Sequence, residues 1–260
     1  MPKFCTLYSS SSGNCTLISD GDTNILVDAG VSASKICSSL EKLGLLPDEI
    51  DAVLVTHEHS DHISGLRILC RKYNIAVYAN AKTMEKIMEV CTDLPSGCIH
   101  IITASVPFEV GSMNVKGFST PHDSVASFGY IIESEGKKYA VATDTGTVTK
   151  AMLTNLAGAE AVLIESNHDE EMLKNGPYPY VLKKRILSDT GHLSNSSGAW
   201  LATQLAMWGT KRIILGHLSE KNNTPEKAFE CTKNLLERNG FKVGSDILLK
   251  VAPSDEICNI

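Results

Sequence analysis

In "VLVTHEHSDH", residues 53–62, an apolar stretch of strand length stops at Thr56, and His57, His59, Asp61 and His62 follow almost at once. A chain cannot bury four such side chains without giving their nitrogens and oxygens partners. A strand must therefore end here and present the group at a rim. In extended or turning backbone His57 and His59 point the same way while Glu58 points elsewhere. Asp61 and His62 then start the next helix and address a second point nearby. Imidazole and carboxylate are the usual ligands of zinc, manganese and iron. One metal needs fewer ligands than this cluster offers, whereas two neighbouring divalent ions would use them all.

Strand-length apolar runs recur at 4–10, 14–19, 24–30, 51–57, 75–79, 128–134, 138–144, 160–166, 212–217 and 247–253. Apolar positions at three and four spacing predict helices over 33–43, 62–73, 81–91, 195–208 and 224–239. Ser32, Asn80 and Thr224 are the expected N-caps, with Pro225 at a first helical position. The short turns "SDGDTN" and "SEGKK" imply antiparallel hairpins, and the later half alternates strand with helix. An α/β fold follows, with mixed sheets covered by helices in one domain over residues 1–260. "THEHSDH", "TPHDS", "TDTG" and "LGHLS" all fall at strand ends, which converge on one edge of a sheet.

Composition excludes several classes. Of 260 residues, 43% are apolar and 21% charged, as in ordinary globular proteins, and no apolar run approaches a membrane span. "MPKFCTLYSSSSGN" lacks the basic and apolar segments of a signal peptide. Eight scattered cysteines without a C-x-x-C pair read as reduced thiols of a cytoplasmic protein. A net charge of −6 argues against a broadly basic, DNA-coating protein. No nucleophile elbow, P-loop or dinucleotide fingerprint is present.

Further residues carry two readings each. His192 in "DTGHLSN" precedes a helix capped by Ser194 or Asn195; it would touch a phosphate or protonate a leaving oxygen, or else simply pack there. His168 follows "LIESN" and is open between substrate contact, support of a ligand and plain packing. Asp123 is either a partner of a ligand or a turn residue. His100, inside "GCIHII", reads as a core or edge histidine. In "SSSSGN", Ser11, Ser12 and Asn14 form a small-residue loop that would let backbone N–H groups and hydroxyls approach a phosphate, or a plain hairpin turn. Lys183, Lys184 and Arg185 form a solvated helix face or a basic mouth for a polyanion. Tyr178 and Tyr180 would stack on bases or pack a rigid turn.

"THEHSDH" resembles the T-H-x-H-x-D-H signature of the metallo-β-lactamase-fold superfamily, and His122, Asp144 and His217 resemble the rest of its ligand set in order. "YSSSSGNCTLI", "LIESNHDEEML" and "RILSDTGHLSN" closely resemble the YycJ/WalJ group of bacterial members. The resemblance implies an αββα sandwich with its site at one rim. It also implies that His57, His59 and His122 hold one metal, that Asp61, His62 and His217 hold the other, and that Asp144 bridges them.

The expected chemistry is hydrolysis. Two divalent ions lower the pKa of water toward neutrality and stabilise charge on the attacked group. Asp61 would orient that water or accept its proton. The resemblance, the extra histidines and the basic cluster favour a phosphodiesterase, an exonuclease acting on DNA. The acidic net charge weighs against it, although the two ions themselves bring about +4 before their ligands are counted. The competing reading is a thioester or lactone hydrolase of the glyoxalase-II type. Those members carry a helical C-terminal domain, whereas only residues 218–260 follow His217 here.

Overall fold

Alternate residues of the central strands face different cores, and this period-two pattern builds the molecule. The computed structural model describes residues 3–260. The first half of the chain supplies β1 (Lys3–Ser10), β2 (Gly13–Ser19), β3 (Asn24–Val27), β4 (Ala52–Leu54), β5 (Ala76–Asn80) and β6 (Ile99–Ile102). The second half supplies β7 (Phe108–Val110), β8 (Met113–Thr120), β9 (Ser127–Ser134), β10 (Lys137–Ala142), β11 (Ala161–Glu165), β12 (Arg212–Gly216) and β13 (Leu248–Val251). The strand β14 (Cys258–Asn259) returns to the outer edge of β1. The two sheets run β14-β1-β2-β3-β4-β5-β6 and β13-β12-β11-β10-β9-β8-β7. Each joins an antiparallel half to a parallel one, the change falling after β3 and after β10.

Ile18, Ile25, Leu54, Tyr130, Tyr139, Val141, Leu163 and Ile214 fill the space between the sheets. Their neighbours Leu17, Leu26 and Val53 face outward against α1 (Ala33–Lys42), α3 (Leu66–Tyr73) and α4 (Ala81–Val90). On the other side Ala140, Val162 and Ile213 meet α5 (Lys150–Leu156), α8 (Asn195–Met207) and α9 (Pro225–Arg238). Each fully buried leucine or isoleucine in these layers contributes about 1.5–3 kcal/mol of burial. The order helix, sheet, sheet, helix is the expected αββα sandwich.

Ser32, Asn80 and Thr224 cap their helices, accepting from the N–H groups of Lys35, Thr83 and Lys227. The helix expected over 62–73 is two pieces, α2 (Ser60–Ile63) and α3. It breaks because the Gly65 N–H leaves the helical ladder and donates to Ala29 O at 2.8 Å. That tie brings the end of β3 against the His59–His62 segment. Gly30 completes the contact: its N–H donates to Asn14 O at 2.7 Å, and a Cβ there would stand 1.6 Å from the Asp61 carbonyl oxygen.

Gly30→Ala is expected to cost about 1–3 kcal/mol by overpacking and to displace Asp61, lowering both the melting midpoint and metal retention. Gly97→Ala, with nothing within 4 Å of its added carbon, serves as the control. A Gly30→Ala protein that melts and holds metal like the wild type would refute this account of the rim.

Candidate metal centre

Three strands end in the same unusual way. Asp28, Asp144 and His217 follow β3, β10 and β12 with φ of 62°, 55° and 56°, in the left-handed region. The turn lets each side chain face one rim. The Asp28 carboxylate accepts from the Thr56 N–H at 2.8 Å and lies 2.8 Å from His62 Nδ1. With Nδ1 engaged, His62 presents Nε2 to the rim. Glu165, the last residue of β11, repeats the device: its Oε1 is 3.0 Å from His217 Nδ1, and its Oε2 accepts from the Thr145 N–H at 2.9 Å. His122 sits between β8 and β9 with Nδ1 3.2 Å from Gly191 O. Glu58 turns away, as alternation requires, and accepts from the Val125 N–H at 2.9 Å.

The seven candidate ligands converge. One atom each of His57, His59 and His122 lie within 4.8 Å of one another, and so do those of Asp61, His62 and His217. Asp144 stands between the two triples, with Oδ2 3.4 Å from His62 Nε2 and Oδ1 3.2 Å from His217 Nε2 and 3.8 Å from His122 Nε2. His122 Nε2, His217 Nε2 and Asp144 Oδ2 are buried without a hydrogen-bond partner. Orphaned nitrogens and an orphaned carboxylate oxygen aimed at one another are what a divalent cation satisfies. The donor set therefore fits divalent metal ions.

The two triples differ in charge. Burial, with His62 and His122 adjacent, holds His57 well below the ordinary imidazole value, and burial lowers His122 too. Burial also opposes charge on His62 and His217, but carboxylates outweigh it. Asp28 and Asp144 hold His62 well above its usual value, and Asp144, Asp61 and Glu165 carry His217 to about 10.

A cavity of about 220 Å³ opens over the ligands, lined among others by Ser11, Asn167, Tyr178, Leu182, Arg185 and His192. His192 faces it with Nδ1 2.7 Å from Glu165 Oε1. Ser194 is the cap of α8, accepting from the Ser197 N–H. The structure places the other candidates away from the cavity. His168 is buried and does not line the cavity; its carbonyl accepts from the Asn195 N–H at 2.8 Å. Alternation explains this: Glu165 and Asn167 face the ligands, whereas Ser166 and His168 turn toward the start of α8. Ser12 is exposed and donates to Glu220 Oε1 at 2.8 Å. Lys183 and Lys184, on α7 (Tyr180–Ile186), do not line the cavity, and Lys183 Nζ donates to Lys174 O. Asn14 lies beneath the ligands, its Nδ2 3.2 Å from His62 Nε2. Tyr180 is exposed, and His100 stacks on Tyr78 in the edge strands with centroids 4.5 Å apart.

Asp28 and Glu165 escaped sequence reasoning. Each closes an apolar run, "NILVD" and "AVLIE", in the position that Asp144 holds in "YAVATD", and that shared position was the available signal.

Adjoining histidine and carboxylate triples at the rim of an αββα sandwich define a metal-dependent hydrolase. The family described as beta-lactamase superfamily domain matches residues 23–218. The solved metallo-β-lactamase fold protein YhfI from Bacillus subtilis superposes with a TM-score of 0.73 at 17% identity, covering 100% of both chains. Exodeoxyribonuclease WalJ of Streptococcus pneumoniae serotype 2 is 40% identical over 246 residues, 94% of this chain and 91% of that protein. Exodeoxyribonuclease YycJ of Bacillus anthracis is 38% identical over 241 residues, 93% and 91% of the two chains. The chain belongs to the metallo-β-lactamase superfamily, in its YycJ/WalJ group. Among the described residues no helix is long and apolar enough to cross a membrane.

Because His62 and His217 are raised, the metal-free protein carries protons on them at neutral pH, and an incoming cation must expel those protons. Apparent metal affinity should therefore rise with pH up to the His217 value of about 10. Calorimetric titration in two buffers of different ionisation enthalpy should show proton release at pH 7. Affinity independent of pH, without proton release, would contradict the assignment.

Proposed function

We propose that this protein is a dinuclear-metal-dependent phosphodiesterase, an exonuclease acting on DNA. The observation that carries the reading is the His192–Glu165 pair beside the ligands. Burial opposes charge on His192, yet the Glu165 carboxylate outweighs it and raises the imidazole above its ordinary value. With Nδ1 on Glu165, Nε2 is left to give a proton to a departing oxygen. A sugar alkoxide needs that proton. A thiolate, the leaving group of a thioester, is already stable near neutral pH and needs no such acid.

In this reading His57, His59 and His122 would hold one ion and Asp61, His62 and His217 the other, with Asp144 standing between the two triples. Zinc, manganese and iron all suit these donors. When bound, the ions lower the pKa of water toward neutrality and neutralise charge on the phosphoryl group. Asp61, which lines the cavity, would orient the attacking water or accept its proton. The likeness to two exodeoxyribonucleases over more than nine-tenths of the chain supports DNA as the substrate. The cytoplasm suits a chain whose eight cysteines are all free thiols. Burial pushes Cys5 up to about 11 and Cys70 up to about 12.

The test uses end-labelled single- and double-stranded DNA and RNA with each metal in turn. DNA should be shortened from an end. His192→Ala should keep its metal and melting midpoint while losing about 10²–10⁴-fold in turnover on DNA. The loss should be far smaller on a nitrophenyl phosphodiester, whose leaving group needs no proton. Efficient thioester hydrolysis with no cleavage of any nucleic acid would move the protein to the competing class. An unchanged rate on DNA would remove His192 from the chemistry.

A further inference from the structure

We propose that Arg185 binds the substrate phosphate next to the one being cleaved, and that Asp123 is the positioning residue that aims it; this rests on the nuclease reading above. Of the three basic residues on α7, Arg185 alone lines the cavity, and its side chain is 54% exposed. Its guanidinium meets Asp123 at two points: Nε donates to Oδ2, and Nη2 donates to Oδ1 at 3.1 Å. Asp123 follows His122 directly, and its Oδ1 is only 3.5 Å from His122 Nε2, the nitrogen offered to the metal centre. A carboxylate is thus fixed at the edge of a site that must receive an anion.

Two consequences follow from the chemistry of the fork. Arginine has five N–H donors in one plane. Asp123 occupies the edge formed by Nε and Nη2, so the Nη1 edge is oriented and free for a second oxyanion. A phosphate is the anion that edge fits in two-point geometry. The pair is also self-masking: with Arg185 in place the Asp123 charge is neutralised, and without it a bare carboxylate repels the strand. With the ions on the scissile phosphate, the free Nη1 edge is assigned to the neighbour along the backbone, which a mononucleotide ester lacks. Lysine, with three N–H donors and no fork, cannot make both two-point contacts at once.

The test compares KM and kcat on a single-stranded oligodeoxynucleotide and on bis(p-nitrophenyl) phosphate, which has no neighbouring phosphate. Arg185→Ala should raise KM for the oligonucleotide roughly 10- to 100-fold, the range for hydrogen bonds to charged groups. It should raise KM for the small ester far less, because only the uncovered Asp123 charge acts on that anion, and it should leave the metal content and the melting midpoint unchanged. Arg185→Lys should recover little of the loss. Adding Asp123→Asn to Arg185→Ala should recover part of it, because the uncovered charge is gone; independent sites would instead lose more. Equal loss on both substrates, an unchanged KM for the oligonucleotide, or a double variant worse than Arg185→Ala would overturn the proposal. A wild-type protein that cleaves the small ester but no DNA would sink the nuclease reading itself, and that result is visible before any variant is made.

Discussion

A carboxylate sealed from water keeps its charge only where donors surround it, and the rim of this protein is arranged around two of them. Asp28 and Glu165 have almost no exposure, and each is answered by backbone N–H groups and by imidazole. The exchange runs both ways. The carboxylates gain donors, and the imidazoles gain a fixed tautomer, so that His62 and His217 turn Nε2 toward Asp144. Thr56 ties the first carboxylate further, its hydroxyl 3.0 Å from Asp28 Oδ2 and 3.0 Å from His57 Nδ1. The strand ends are placed so that these two acids lie behind the ligands.

The same placement explains where the backbone is strained. A non-glycine residue in the left-handed region costs about 1–3 kcal/mol, and three such residues, Asp28, Asp144 and His217, surround one point. Aspartate and histidine tolerate that region better than most residues. The residue types demanded by the chemistry are therefore also those that can make the turn. Surrounding bonds keep them there: the Asp28 N–H donates to Leu54 O at 2.9 Å, and the His217 N–H to Ser9 Oγ at 2.9 Å.

How far the sequence was legible depended on length and context. Long amphipathic helices with polar caps declared themselves, as at Ser32, Asn80 and Thr224. The helices α5, α7 and α6 (Glu170–Asn175) are too short for a three-and-four rhythm to show. The strand β8 was missed although it alternates, because Lys116, Gly117 and Ser119 dilute its apolar content. Within the site, the clustered histidines were readable because local spacing alone brings them together. Asp28 and Glu165 were not, since an acid ending an apolar run looks like the start of a turn. The sorting of Arg185 from Lys183 and Lys184 was equally hidden, because it depends on which face of α7 meets the cavity.

Each ligand triple draws on both halves of the chain: His57 and His59 meet His122, and Asp61 and His62 meet His217. The β12 strand that delivers His217 pairs only with strands from the second half. A ribosome that has released the "THEHSDH" segment has thus made four of the seven candidate ligands and neither complete triple. Domains fold as units during synthesis, and here the last imidazole, His217, comes from far along the chain. A chain that stops short of β12 therefore lacks one member of the second triple, however much of the first it already holds.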